Sequence, residues 1–277
     1  MHIGIIGTGN MGTILTSALI DSKAVPGEKI YITNRTIEKA YRIKEVYKDI
    51  RVENSVKELV RKSDMIFICT KPLDIHPLLM KIKPYLTEDK CLISITSPIS
   101  AEQLESAVSC SCVRVIPSIT NRALSGICLV TFGEKCSEYW RKQVLQLVSC
   151  ISRPVEIDQD ITRVASDIVS CGPAFFSYIL RKFIDAAVKE TGIDEELATK
   201  LTAEMLVGMG ALIGKNYYDF PTLQEKVCVK GGITGEGIQV LEQYPIEKTF
   251  RELFKATHKK YRKDIKNIKQ QFEYHNV

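Results

Sequence analysis

Short apolar runs alternate with amphipathic segments through residues 1–157, and this alternation restricts the fold more than any other feature of the chain. The segments between the apolar runs, such as SVKELVRKS, have helical spacing. Strands that are apolar throughout are buried on both faces, as in parallel sheets covered by helices. The pattern predicts an α/β domain with a doubly wound parallel sheet, whose strands are HIGIIG, KIYITN, MIFICT, CLISIT, VRVIP, GICLVTF and RPVEI.

The pattern changes at residue 158. Long segments such as GPAFFSYILRKFIDAAVKETG repeat their apolar residues with the 3.6-residue period of a helix. Pro173 suits the first turn of a helix, and Gly192 suits a helix end. Because 277 residues are enough for two domains, we predict an α/β domain over residues 1–157 and an all-helical domain over residues 158–277.

Composition argues against several classes of protein. The chain opens on HIGIIGTG with no basic region or cleavage site before it, and we find no apolar run of the roughly 18 residues that a membrane span needs. The net charge of +5 is mild. The last helix is basic over residues 251–269, but no nucleic-acid-binding motif accompanies it. We therefore expect neither a membrane nor a nucleic acid as partner.

The nine cysteines are scattered and form no CxxC pair. Cys110 and Cys112 form a single CxC with no second pair to match it, so we expect no metal site. Several cysteines lie in apolar strands, where a free thiol behaves as a small hydrophobic residue. Free thiols in this number are typical of a reducing compartment, so we expect a cytoplasmic protein.

The first strand runs into GTGNMG, which has the G-x-G-x-x-G spacing of a dinucleotide-binding loop. The motif follows a strand and opens a helix, the context that gives the spacing its meaning. Gly7 would permit the tight turn, Gly9 would let the backbone approach a pyrophosphate, and Gly12 would let the helix pack closely on the sheet. The first domain is therefore predicted to be a Rossmann domain.

The second strand ends in Asn34, Arg35 and Thr36, where NAD sites usually carry an acidic residue for the ribose 2′-hydroxyl. A guanidinium flanked by short polar side chains suits a 2′-phosphate instead. We therefore predict NADPH as the cofactor in preference to NADH. Lys71, after the fourth strand, either faces the cofactor or is solvated.

Four motifs in this order, GTGNMG, CTKP, SCGPAFF and KGGITGEGIQVLE, resemble those of the pyrroline-5-carboxylate reductase family over nearly the whole chain. The resemblance implies reduction of the cyclic imine acid 1-pyrroline-5-carboxylate to proline by hydride transfer. It also implies a homodimer or larger homo-oligomer formed through the helical domain. The cofactor contacts that it implies are Ile6, Gly7, Thr8, Gly9, Asn10, Met11, Gly12, Asn34, Arg35, Thr36, Asn54, Cys69, Thr70, Lys71, Pro72 and Thr96.

The segment CVKGGITGEG has four glycines in ten residues of an otherwise helical region. By resemblance, its loop Gly231–Thr234 holds the substrate carboxylate, and Thr234 is the candidate catalytic residue. Glycines let the backbone curl around an anion, and a helix start supplies N–H donors. Thr234 can cap that helix, bind the substrate, or do both.

The substrate half departs from the family pattern at three places. Members of the family usually read MPNTP, SGSGPA and SPGG where this chain reads IPSITN, VSCGPA and VKGG. Ser118 and Lys230 are the substrate-binding candidates that these changes introduce. Two alternatives therefore stay open. One is a paralogue with the same fold and a regulatory or developmental role, as in competence or sporulation. The other is a reductase of a different imine.

Overall fold

The computed structural model describes residues 1–273 and divides them into two compact units. The first unit contains Met1–Pro173 and the chain from Ala256 onward, and the second contains Ala174–Lys255. The predicted boundary between residues 157 and 158 lies just after the last strand, which ends at Glu156, whereas the first unit continues to Pro173. The first unit extends further because residues 158–173 and the end of the last helix pack against the sheet domain.

The first unit is built on one eight-stranded sheet with the order β3-β2-β1-β4-β5-β6-β7-β8. All neighbouring strands are parallel except β6 and β7, which are antiparallel. The strands are β1 Ile3–Ile6, β2 Ile30–Thr33, β3 Arg51–Val52, β4 Met65–Ile68, β5 Cys91–Ser94, β6 Ser111–Ile116, β7 Ile127–Phe132 and β8 Arg153–Glu156.

Two details differ from the sequence prediction. Strand β3 was missed, because it has only two residues and is not buried. The pairing of β6 with β7 is antiparallel, because residues 117–126 between them form only a short 3₁₀ turn. A parallel pairing needs a longer crossover, usually a complete helix.

The described residues also contain twelve α-helices, besides shorter helical turns. Local signals explain several helix starts: Pro72 is in the first turn of α4, Ser100 forms a capping box on α5, and Asp194 caps α9. The helices are α1 Asn10–Asp21, α2 Glu38–Val46, α3 Val56–Lys62, α4 Pro72–Ile82, α5 Ala101–Ala107, α6 Glu138–Ser149, α7 Thr162–Ser166, α8 Gly172–Thr191, α9 Glu195–Gly214, α10 Phe220–Val227, α11 Ile233–Glu242 and α12 Ile246–Glu273.

The sheet buries apolar side chains on both faces, as the continuous apolar strands predict. In β4, Phe67 belongs to one core cluster, while Ile66 and Ile68 belong to the other. The second cluster also contains Ile268 and Phe272 from the end of α12. The last helix is therefore not only a solvated basic surface, since its final turns contribute to the core of the sheet domain.

The second unit consists of helices and exposes many large apolar side chains, among them Phe176, Phe183, Leu201 and Met205. Within the described residues, α9 is the one helix whose length and mean hydropathy would allow it to cross a membrane. The sequence analysis did not anticipate such a helix, because charged residues interrupt its first half. Little of its apolar surface is buried within the chain itself.

Candidate active site

A cleft of about 650 Å³ opens at the carboxyl ends of β1, β2 and β4. Ligands of doubly wound sheets bind at this edge, where the strand order reverses direction. Eight of the predicted cofactor residues line it: Ile6, Gly7, Asn34, Arg35, Asn54, Cys69, Thr70 and Lys71. The sequence analysis missed Thr33, Val56, Asp74, Pro77, Leu78 and Lys81, which also line it. Some of these residues follow Lys71 at the three- and four-residue steps of a helix, namely Asp74, Leu78 and Lys81. This spacing along the start of α4 is a sequence signal from which the three could have been predicted.

The three glycines of the first loop have different surroundings. Gly7 has φ +102°, and a Cβ there would lie 2.8 Å from the Cys69 carbonyl oxygen. A Cβ on Gly12 would lie 2.0 Å from the Gly7 carbonyl oxygen, whereas one on Gly9 would meet no atom within 4 Å. The glycines at 7 and 12 are thus needed by the fold. The open space beside Gly9 is available to a ligand.

The start of α1 is suited to an anion. Gly9 is the N-cap residue and supplies no side-chain cap, and the first turn contains no acidic residue. The first-turn N–H groups and the helix dipole therefore favour negative charge at this point. Asn10 and Met11 form the beginning of this turn.

Two hydroxyl groups at the loop ends are buried without a hydrogen-bond partner among the described residues. They are Oγ1 of Thr8 and Oγ1 of Thr70. Buried polar atoms normally find a partner, so each has unused hydrogen-bonding capacity at this edge of the sheet. The two unpaired hydroxyl groups therefore fit a polar ligand such as a dinucleotide.

The end of β2 presents the polar residues that the sequence predicts for a 2′-phosphate. The Asn34 side chain accepts a hydrogen bond from the Thr8 amide at 3.0 Å and donates to the Thr36 carbonyl at 2.9 Å. It therefore joins the first loop to the second. Arg35 is exposed at the cleft and forms no ion pair with any residue that the structure describes.

Further along the cleft are two exposed lysines, Lys71 just before α4 and Lys81 within it, with Asp74 between them. Positive charge therefore outweighs negative charge along this wall, as a phosphate-rich ligand requires. Cys69 is half-buried at the cleft, and desolvation raises the pKa of its thiol well above the ordinary value. Its side chain lies beside Gly12, where an added Cβ would come within 3.2 Å of the Cys69 Cβ.

The remaining predicted cofactor residues have other positions. Thr36 is exposed after β2, and Pro72 begins α4. Thr96 follows β5, and its hydroxyl lies 3.2 Å from the Ser94 hydroxyl. The cofactor roles predicted for these residues stay predictions.

Ser118 is buried, and its hydrogen bonds are already made within the sheet domain. Its hydroxyl donates to the Val169 carbonyl at 2.8 Å, and its amide donates to Oδ1 of Asn121 at 2.7 Å. It also begins the short 3₁₀ helix that connects β6 to β7. A substrate contact through Ser118 stays a prediction, and its described role is to hold this connection.

The glycine-rich loop of the second unit leads directly into α11. Gly231 has φ +76°, and Gly232 is the N-cap of the helix, with no side-chain cap. The Gly232 amide already donates to the Val229 carbonyl at 2.9 Å. The amides of Ile233 and Thr234, in the first turn, have no intrahelical acceptor. Of the two glycine amides, that of Gly232 is therefore used within the loop, while the two first-turn amides of the helix point to no intrahelical acceptor.

Thr234 does not cap α11, because it is the second residue of the helix and the cap position is Gly232. Its side chain is exposed, and no hydrogen bond engages its hydroxyl among the described residues. Lys230 is also exposed and has no ion-pair partner in that part of the chain. The loop thus presents two amides, one hydroxyl and one ammonium group.

Sequence reasoning also missed a polar cluster beyond β5. It contains Ser97, Arg114, Arg163, Asp167 and Tyr261, of which only Arg163 and Asp167 are close in the sequence. Arg114 and Asp167 are almost completely buried. Apart from the pair of Arg163 and Asp167, four residues apart in the sequence, only the fold brings these residues together.

Comparison with known proteins shows which families share this architecture. Residues 2–98 match the family described as NADP oxidoreductase coenzyme F420-dependent, and residues 159–264 match the pyrroline-5-carboxylate reductase dimerisation family. The chain is 56% identical over 272 residues to ComE operon protein 4 of Bacillus subtilis, covering 98% of this chain and 99% of that protein. The chain belongs to the pyrroline-5-carboxylate reductase family. The resemblance inferred from the four motifs is thereby confirmed.

Other members of the pyrroline-5-carboxylate reductase family are similar over nearly the full length. Pyrroline-5-carboxylate reductase 3 of Bacillus subtilis is 28% identical, covering 94% of this chain and 95% of that protein. The Plasmodium falciparum pyrroline carboxylate reductase with NADP bound has a TM-score of 0.81 at 23% identity and covers 98% of both chains. The Coxiella burnetii enzyme has a TM-score of 0.80 at 21% identity and covers 98% of both chains. The predicted fold class, a Rossmann sheet followed by a helical dimerisation region, is confirmed.

Proposed function

We propose that this chain is an NADPH-dependent reductase of 1-pyrroline-5-carboxylate, which it converts to proline. The observation that carries the proposal is the combination of two unsatisfied donor sets. One is the uncapped glycine loop at the start of α1, and the other is the pair of free amides beside Thr234. The first suits a pyrophosphate and the second suits a carboxylate.

The reaction needs little acid–base machinery from the protein. Reduced nicotinamide, when bound, supplies a hydride to the imine carbon while the C=N π electrons pass to the nitrogen. A protonated imine is already electrophilic, so the protein contributes mainly proximity and orientation. The amides of Ile233 and Thr234 would hold the carboxylate, the Thr234 hydroxyl would orient the ring, and Lys230 would attract the acid.

The cofactor preference is proposed from the second-strand loop. Arg35 is an exposed cation that lines the cleft just after the second strand, where an acidic residue would select NADH. We expect Arg35→Ala to weaken NADPH binding about 30-fold and to change NADH binding less than about threefold, because a charge-assisted phosphate contact contributes roughly 2 kcal/mol. Isothermal titration with both dinucleotides measures this.

Lys39→Ala provides the matched control, since this exposed cation lies on α2 and is absent from the cleft. Its affinity for both dinucleotides should equal that of the parent chain. Equal weakening of NADPH and NADH by Arg35→Ala would contradict the 2′-phosphate assignment.

The activity itself is tested with purified protein, NADPH and pyrroline-5-carboxylate, by following the loss of NADPH absorbance. Turnover that produces proline supports the proposal. A folded protein that binds NADPH but gives no turnover overturns it. Replacement of the usual SPGG by VKGG is the specific observation that favours a different imine acid as substrate, and a panel of cyclic imines in the same assay separates the two.

A second candidate function is a regulatory or developmental role with weak or no reductase activity. The observation that favours it is the similarity to ComE operon protein 4 together with the altered substrate loops. This candidate predicts NADPH binding without growth rescue. Restoration of proline-independent growth in a reductase-deficient bacterium would refute it.

We also propose a cytoplasmic homodimer or larger oligomer, in which a second copy covers the apolar faces of α8 and α9. The match to a dimerisation family and the exposure of Phe176, Phe183, Leu201 and Met205 support this. We expect sedimentation at micromolar concentration to give at least twice the monomer mass. Leu201→Lys should shift the protein toward monomer, whereas Lys200→Ala on the same helix should not. A monomeric parent chain would contradict the proposal.

A further inference from the structure

Three donors converge on Ser97, in the loop that connects β5 to α5. The Tyr261 hydroxyl donates to the Ser97 carbonyl at 3.1 Å, and Nη1 of Arg114 donates to the same carbonyl at 3.4 Å. Nη1 of Arg163 donates to the Ser97 hydroxyl at 3.3 Å. A loop at a sheet edge is ordinarily among the more mobile parts of a domain, so three bonds to one residue restrict it strongly.

The donors are themselves held in place. Arg114 is fully buried in β6, and its Nη2 donates to hydroxyl oxygens of Thr131 at 2.9 Å and Thr162 at 2.6 Å. Nη2 of Arg163 donates to Asp167 at 2.8 Å. These contacts fix the two guanidinium groups before any ligand binds.

Tyr261 comes from the last helix of the chain. The Arg163 guanidinium lies 5.5 Å from the centre of its ring. Burial raises the pKa of the Tyr261 hydroxyl, which therefore stays protonated and donates at neutral pH. The same helix anchors its end elsewhere in the sheet domain, where Phe272 packs edge-on against His76 at 4.7 Å.

The strand order identifies which part of a dinucleotide this loop would face. β2 lies on one side of β1, while β4 and then β5 lie on the other. The pyrophosphate binds at the start of α1 and the adenosine ribose binds at the end of β2. The nicotinamide half must therefore extend toward the ends of β4 and β5, and Ser97 follows β5.

We propose that Tyr261 and Arg163 are positioning residues that hold the β5–α5 loop in place for the nicotinamide half of the cofactor. Through the Tyr261 hydroxyl, the last helix thereby affects the affinity for the nicotinamide half of the cofactor. This inference rests on the proposed dinucleotide site. Preorganisation of a contact loop raises affinity because less freedom is lost on binding. A purely structural role for the cluster would instead change stability without distinguishing one half of the cofactor from the other.

The test compares two ligands on Tyr261→Phe, which removes only the hydroxyl. Isothermal titration measures the affinity for NADPH and for 2′,5′-ADP, which lacks the nicotinamide half. We expect about tenfold weaker binding of NADPH and unchanged binding of 2′,5′-ADP. Ser97→Ala, which removes the acceptor of Arg163, should change the affinities in the same direction.

Two controls separate positioning from general loosening of the helix. Gln271→Ala removes a different bond from α12 to a backbone carbonyl, that of Leu73 at 3.3 Å. Tyr139→Phe makes the same chemical change on an exposed tyrosine. Both should keep the parent ratio of NADPH to 2′,5′-ADP affinity.

The outcomes are distinct. If Tyr261→Phe leaves the ratio of the NADPH and 2′,5′-ADP affinities unchanged, whether both affinities stay the same or both fall equally, the positioning role is overturned. A parent chain that binds neither ligand overturns this inference together with the proposed cofactor. A parent chain that binds NADPH but does not reduce pyrroline-5-carboxylate overturns only the proposed reaction, and the binding ratio still decides the role of Tyr261.

Discussion

Replacing Gly9 with alanine is expected to weaken NADPH binding about 100-fold while changing the free energy of unfolding by less than about 1 kcal/mol. A Cβ at this position meets no atom of the protein within 4 Å, and the φ of −74° suits alanine. The methyl group would, however, occupy the space that a pyrophosphate needs to approach the start of α1. Titration with NADPH and thermal unfolding together measure both quantities.

Gly12→Ala is the matched comparison in the same loop. Its Cβ would lie 2.0 Å from the Gly7 carbonyl oxygen, so the backbone itself must move. We expect about 3 kcal/mol of destabilisation, as for other overpacked sites. The pair separates a glycine kept for a ligand from a glycine kept for the fold. If Gly9→Ala binds NADPH normally, the cleft is not the pyrophosphate site.

Thr234→Val is expected to lower kcat/KM for pyrroline-5-carboxylate about 100-fold with NADPH affinity unchanged. The substitution preserves shape and removes one hydrogen-bonding group, a loss that typically costs two orders of magnitude when the group contacts reacting atoms. Stability should stay the same, because the hydroxyl is exposed and does not cap α11. Steady-state assays with varied imine at saturating NADPH measure the effect.

Thr249→Val is the control for this experiment. Thr249 is an exposed threonine of α12 whose hydroxyl donates to the Pro245 carbonyl at 3.3 Å. Its kcat/KM should equal that of the parent chain. Unchanged turnover in Thr234→Val would remove Thr234 from the proposed chemistry and leave the loop amides as the remaining candidates.

Lys230 stands where members of the family usually carry proline before the two glycines. It is exposed in the described structure and unpaired there, next to Gly231. If this loop binds the substrate acid as proposed, we expect Lys230 to attract an acid of higher negative charge more strongly, since the attraction grows with the ligand charge. The NADPH assay with different cyclic imines therefore includes imines that carry two carboxylates.

Much of the cleft at the ends of β1, β2 and β4 was predictable because its signals are local. The continuous apolar strands required burial on two faces, and Gly7, Gly9 and Gly12 have the dinucleotide-loop spacing between a strand and a helix, which is the context that makes this spacing informative. Backbone conformation and helix starts depend on neighbours in the chain. Eight of the cleft residues could therefore be named before the fold was known.

The tertiary structure alone decided which polar groups remain free. The sequence placed Ser118 and Thr234 together as substrate candidates, yet the Ser118 hydroxyl is bonded to Val169 and that of Thr234 is exposed. It also presented the last helix as a basic surface, whereas Ile268 is buried and Tyr261 reaches Ser97. Hydrogen bonds between residues far apart in the chain depend on packing, and packing is a property of the folded chain as a whole. The sequence by itself determined the sheet, the glycine loop and the family, because these rest on local spacing; only the fold determined which donors are left for a ligand.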